Sequence, residues 1–197
     1  MFQHACFISY RHPDLRNAPP SQTHFWTTFV TEFQRQLEQY ITVPIRSYMD
    51  ARLRSQPGID YPIELSRRLC GSVCLVAIIV PEYWESPWCV SEWQAMERFE
   101  QARLGRAGLI IPVVIRGNRT AIERRVRPRQ TIDFYNVTKP TQLRNVGNLR
   151  KIEAIANMIN QHARRLAQLS PECERFEIEL VTEVRPMVED DPDPFAE

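Results

Sequence analysis

Apolar residues along this chain fall into two patterns: short unbroken runs, and longer stretches where they return at helical spacing. The runs are strand-sized. "ACFISY" at 5–10, "SVCLVAIIV" at 72–80 and "LIIPVVI" at 109–115 are nearly all apolar, and the last two suit strands buried on both faces of a sheet. "VPIRSYMD" at 43–50 only half alternates and reads as an edge strand; "TIDFYN" at 131–136 reads as a short last strand. Between them, Phe29, Val30, Phe33, Leu37 and Tyr40 recur on one helical face, with Ser21 or Thr23 as the cap. Pro62, with Asp60 as cap, starts a helix to about Cys70, and Ser86-Pro87 starts another to about Arg103. A last helix over about 149–169 places Ile152, Ile155, Ala156, Ile159, Ala163 and Leu166 on one face. Segments 11–24, 51–62 and 117–130 are polar and read as connections. Strands alternating with helices predict an α/β fold: a flavodoxin-like, doubly wound, five-stranded parallel sheet of order 2-1-3-4-5 with helices on both faces.

Composition leaves that picture intact and sharpens its edges. The 197 residues are 43% hydrophobic and 25% charged, ordinary for a soluble domain. No run approaches the roughly 20 apolar residues of a membrane span, and the first residues lack the pattern of a secretory signal, so a cytoplasmic protein without membrane contact is expected. The five cysteines sit mostly in apolar surroundings without a CxxC, which predicts buried reduced thiols rather than a disulfide framework or a zinc site. The net charge of +1 hides an asymmetry: ten acids against two arginines make residues 172–197 about −8, leaving about +9 for the rest. Residues 171–197 are therefore set apart as an acidic tail. Its "RFEIELVTEV" has the alternation of a half-buried strand, and the tail is left open as an added edge strand, an inter-subunit strand or assembly element, or a helix. Nine arginines between Arg98 and Arg129 face only Glu100 and Glu123 as counter-charges. With no interleaved aromatics and no nucleic-acid motif, they read as a solvated face, or as a contact for an acidic partner or the tail.

In a sheet of this kind ligands bind at the carboxyl ends of the strands, near the switch point between strands one and three. Strand one delivers Ser9, Tyr10, Arg11 and His12 there; strand three delivers Tyr83, Trp84, Ser86, Trp88, Cys89 and Glu92; the loop from Asp50 to Pro62 can close over the same end. No GxGxxG, GxxxxGK[ST] or GxSxG occurs, which argues against a dinucleotide fingerprint, a P-loop and a hydrolase elbow.

The ordered set "FISYRH", "YMD", "PGIDYPIEL", "LVAIIVPEYWESPWCVSEW", "IIPVVI" and "IDFYN" resembles a Toll/interleukin receptor (TIR) domain, over about residues 3–165 and with 1–170 as the domain. The further likeness is to the bacterial NAD+-cleaving type, in which the essential glutamate follows the third strand in an S-x-x-C-x-x-E pattern. Here that pattern is Ser86, Cys89 and Glu92. The resemblance implies an NAD+ glycohydrolase or ADP-ribosyl cyclase with Glu92 catalytic. Ser9, Tyr10, Arg11, Asp50, Gly58, Ser86, Trp88 and Cys89 would line the substrate site. NAD+ would be substrate, with no cofactor and no metal. It also implies activation by self-association through the 51–62 loop, an upstream sensor or downstream effector protein, and a role in anti-phage defence. Two places depart from the pattern: the segment after strand one is long and Pro-rich, and Val80 stands where a serine is usual.

The chemistry can be argued without the family. Nicotinamide leaves as a neutral base and the ribose passes through an oxocarbenium-like state, so one ionised, poorly solvated carboxylate suffices. The competing readings are a non-catalytic TIR scaffold, which has no need of Glu92, and a base-exchange or nucleoside-processing enzyme on a similar fold. Read residue by residue, Ser86 fits a helix cap and Cys89 a packed thiol better than a chemical role, and Trp88 either walls the pocket or only packs.

Overall fold

A computed structural model of the chain describes residues 1–11, 20–49, 61–169, 171 and 173. The elements follow the expected alternation: β1 (His4–Tyr10), α1 (Pro20–Glu38), β2 (Arg46–Met49), α2 (Tyr61–Cys70), β3 (Leu75–Ile79), α3 (Pro87–Leu104), β4 (Ile110–Val114), α4 (Arg119–Val126), β5 (Ile132–Asp133) and α5 (Val146–Arg165). Two 3₁₀ turns, Pro81–Glu85 and Pro140–Arg144, precede α3 and α5. All strand pairs are parallel and the order is β2-β1-β3-β4-β5. Every residue of β3 and β4 is buried, as their unbroken apolar runs require. β2 and β5, the polar-patterned segments, form the two edges.

Burying both faces of a parallel sheet forces polar groups to its ends, where backbone amides must still find partners. At the start of β4 one side chain meets that need. Glu100, on α3 and 2% exposed, accepts from the amides of Gly108, Leu109 and Ile110 at 2.8, 2.6 and 2.9 Å. Its other oxygen takes a hydrogen bond from the Arg129 guanidinium, which also reaches Glu97 at 3.3 Å. Gly105, in the left-handed conformation at φ 65°, ends α3 and lets the chain turn back toward those amides. On the other side of the sheet, Asn160 of α5 holds the exit of α1 by accepting from the Thr42 amide and donating to the Tyr40 carbonyl. Glu32 of α1 takes guanidinium donors from Arg35 and Arg144, which hold its carboxyl well below the usual range.

Four expectations are corrected here. Segment 117–130 is not a simple connection, because α4 lies within it. Asn118 caps α4 by accepting from the Ala121 amide at 3.1 Å, and Ile122 and Val126 are buried. Two buried apolar positions in eight residues are too sparse for a periodic signal. Pro20 begins α1, so Ser21 and Thr23 lie inside the helix rather than at its cap. Not all cysteines are reduced: Cys70, at the end of α2, is bonded to Cys173, while Cys6, Cys74 and Cys89 are free and buried. The partners lie 103 residues apart, so no local spacing marks the pair. Nor is the arginine-rich stretch one solvated face. Arg103 stacks on Phe2 and Phe99 and donates to the Ser72 and Cys70 carbonyls, and burial pulls its guanidinium down to about 10. Arg125 lies over Trp84, Arg129 over Trp93 and Arg116 over Trp26. Asp60 and the strand pattern of 175–184 lie outside the described residues. Among the described residues no helix is long and apolar enough to cross a membrane.

Two outcomes are expected. Glu100→Ala, which strands a guanidinium and three amides, lowers unfolding free energy by about 3–5 kcal/mol in urea titration, and Glu100→Gln, which keeps an acceptor, lowers it less. Alkylation of the unfolded, unreduced chain followed by mass spectrometry labels the three free cysteines; after reduction it labels all five.

Candidate functional site

β1 and β3 lie side by side, with Ser9 opposite Ala77 and Tyr10 opposite Ile78. Beyond β3 the chain turns through the 3₁₀ segment Pro81–Glu85 and enters α3 at Pro87. Ser86 is the residue that makes the corner. Its backbone is extended and its hydroxyl accepts from the Cys89 amide at 3.4 Å, capping α3. Pro87, just inside the helix, needs no amide partner. This corner aims the first two turns of α3 back over the carboxyl end of β1.

Three buried polar side chains meet there, from three elements. Ser9 of β1 donates its hydroxyl to Glu92 Oε2 of α3 at 2.5 Å. The same Ser9 oxygen lies 2.8 Å from the Tyr83 hydroxyl in the 3₁₀ turn. Ser9, Tyr83 and Glu92 are 1%, 0% and 4% exposed. Burial, followed by the neighbouring Cys89 and Glu92, pushes the Tyr83 phenol well above its ordinary range, against the opposing effect of the Ser9 hydrogen bond. A carboxylate in this setting is already stripped of most water, so its charge acts at short range with little dielectric loss.

The remaining candidates divide. Cys89 is 3% exposed and sits beside Tyr83, in a packed position. Trp88 is half-buried at the helix start and, four residues before Glu92, shares its side of α3. Strand alternation sends Tyr10 to the face opposite Ser9, so it does not join the Ser9–Tyr83–Glu92 group across the sheet. Arg11 directly follows β1 and is half-buried. Asp50 and Gly58, like the rest of 50–60, and His12 lie outside the described residues. Trp84 belongs to the aromatic cluster around Tyr83, edge-on to that ring at 5.1 Å. Its ring meets Trp93 edge-on at 5.0 Å under Arg125, with Arg129 over Trp93. Sequence reasoning placed Tyr83 near the crevice but gave it no part in the site. The alternation of β1 was the available clue, since it turns Ser9 toward whatever packs behind the 3₁₀ turn. Among the described residues no group of histidines, cysteines and carboxylates is arranged to hold a metal.

Removing the cap is expected to show that Ser86 is structural: Ser86→Ala lowers stability by about 1 kcal/mol in chemical denaturation, and Ser86→Asp retains most of it.

A family model for the TIR domain matches residues 6–146. No curated protein matches the chain. Among solved structures, a similar chain comes from the TIR domains in the structure of the activated Roq1 resistosome directly recognizing the pathogen effector XopQ. It is 14% identical and has a TM-score of 0.41, with 81% of this chain and 82% of that chain covered.

Proposed function

The chain belongs to the TIR domain family, and from that premise we propose that it cleaves the nicotinamide–ribose bond of NAD+, with Glu92 as the catalytic carboxylate. One observation supports this above others. Glu92 is a nearly buried acid at the carboxyl end of a parallel sheet, beside the switch point, held by a hydroxyl donor from β1.

In the proposed reaction the bond between ribose C1′ and the nicotinamide nitrogen breaks, and its electron pair leaves with the neutral base. Positive charge spreads over C1′ and the ring oxygen. The Glu92 carboxylate, aligned before substrate arrives, stabilises that charge and fixes the ribose hydroxyls. Attack on C1′ by water, which releases a proton to solvent, gives ADP-ribose; attack by a nucleophile within the same molecule gives a cyclic product. No proton need be supplied to the leaving group, so a second carboxyl is not required. Arg11 and Trp88, with Asp50 and Gly58, are proposed to bind the phosphates, base and ribose around this centre. Ser9 acts from behind Glu92, while Ser86 and Cys89 shape the corner.

Constitutive loss of NAD+ would be toxic, so activity is proposed to follow self-association through the 51–62 loop, prompted by a sensor protein. Anti-phage defence, by NAD+ depletion or by a cyclic nucleotide signal to an effector, is the proposed setting. A cytoplasmic location goes with it.

The test is incubation of the purified chain, under crowding that drives assembly, with NAD+ and chromatographic analysis of products. Nicotinamide release is expected, reduced by about 10²–10³-fold in Glu92→Gln. Undiminished release from that variant would sink the mechanism, and no turnover in any assembled state would favour a TIR scaffold.

A further inference from the structure

The contact between Ser9 and Tyr83 leaves the direction of its hydrogen bond open on geometry alone, but with Glu92 ionised, and so an acceptor only, proton counting closes it. A serine hydroxyl has one proton and can still accept. Ser9 gives its proton to Glu92 Oε2. The 2.8 Å contact to Tyr83 must then be a donation from the phenol to the Ser9 oxygen. The three groups form a directed chain, phenol to hydroxyl to carboxylate, that begins at a fully buried side chain and ends on Glu92.

Each link comes from a different element: the 3₁₀ turn after β3, β1 and α3. The Tyr83 ring is fixed among aromatic neighbours, edge-on to Trp84 at 5.1 Å and to Trp93 at 6.5 Å. The donor at the far end therefore does not move with solvent. Hydrogen bonds in such a chain polarise one another, so a donation to Ser9 strengthens the donation from Ser9. We propose that Tyr83 is a positioning residue for Glu92: its phenol, acting through Ser9, keeps a fixed hydrogen-bond donor on Oε2 and the carboxylate in one rotamer. The part it plays in turnover rests on the NAD+-cleaving reading above; the hydrogen-bond chain does not. Burial around the phenol favours its protonated, donating form.

Infrared spectroscopy separates the two. The difference spectrum between a protein and its Glu92→Gln variant isolates the Glu92 carboxyl bands, and it is recorded in the parent, Tyr83→Phe and Ser9→Ala backgrounds. The expected result is an ionised-carboxylate band in the parent that shifts in Tyr83→Phe and shifts further in Ser9→Ala. Phenylalanine keeps the ring, and a thermal melt confirms the fold. Should Tyr83→Phe not fold, 3-fluorotyrosine at position 83, a stronger donor of nearly the same size, is expected to move the band the opposite way to Ser9→Ala. Alongside, Tyr83→Phe is expected to lower kcat for nicotinamide release by about 3- to 10-fold, the worth of one neutral hydrogen bond, with KM unchanged. Bands unmoved by the change at position 83, or a parent band in the protonated-acid region, overturn the chain. Bands that move while kcat does not overturn the positioning role. A parent protein that releases no nicotinamide counts against the proposed reaction, while the infrared result still decides the chain.

Discussion

A parallel sheet covered on both faces can meet polar chemistry only at the two ends of its strands, and this protein puts a buried carboxylate of α3 at each end. Glu92 and Glu100 lie eight residues apart on one helix, about 12 Å along its axis at 1.5 Å per residue. Both are at most 4% exposed. Their partners differ in kind. Glu100 is saturated by three backbone amides and a guanidinium, the requirements of a strand that starts in the interior. Glu92 is met by a hydroxyl at the opposite end, where strands deliver side chains to a crevice. One acid completes the backbone's hydrogen bonding; the other has a neutral donor chain behind it.

That difference explains how a single helix serves the fold and the site together. The Glu100 contacts tie the carboxyl end of α3 to β4, and the Ser86 cap ties its amino end to the turn after β3. With both ends held, the register of α3 against β1 is set, and with it the Ser9–Glu92 contact. The arginines reinforce the same arrangement. Arg125 and Arg129 lie on the faces of Trp84 and Trp93, so α4 and the segment after it cover the indole of α3 and that of the turn before it. Their aliphatic stems and planar heads cover aromatic surface that an equal number of lysines would leave poorly packed.

The buried strands were legible in their unbroken apolar runs, and the strand order in the alternation of strands with helices that suits a doubly wound sheet. Glu92 stood out only because the Ser86, Cys89 and Glu92 spacing resembles the pattern of the NAD+-cleaving TIR type. What the chain concealed was pairing over distance. Cys70 and Cys173 carry no mark of their bond, since each sits in an ordinary local context. Glu100 reads as one acid among arginines until the fold brings the amides of 108–110 to it. Tyr83 reads as an aromatic in a crowded turn until β1 supplies Ser9. Helix α4 was missed for a different reason: it buries only Ile122 and Val126, and the rest of its surface carries the charge that suggested a loop.

Trp84 and Trp93 have a use of their own. Two indoles edge-on at 5.0 Å couple their electronic transitions, and a rigid pair of this kind imprints the near-ultraviolet circular dichroism of the whole molecule. Tyr83 borders both rings, so light absorbed by its phenol passes to them as tryptophan emission. The aromatic cluster around Tyr83 is thus an intrinsic chromophore, and movement of Glu92's supporting residues is optically visible without any dye or label.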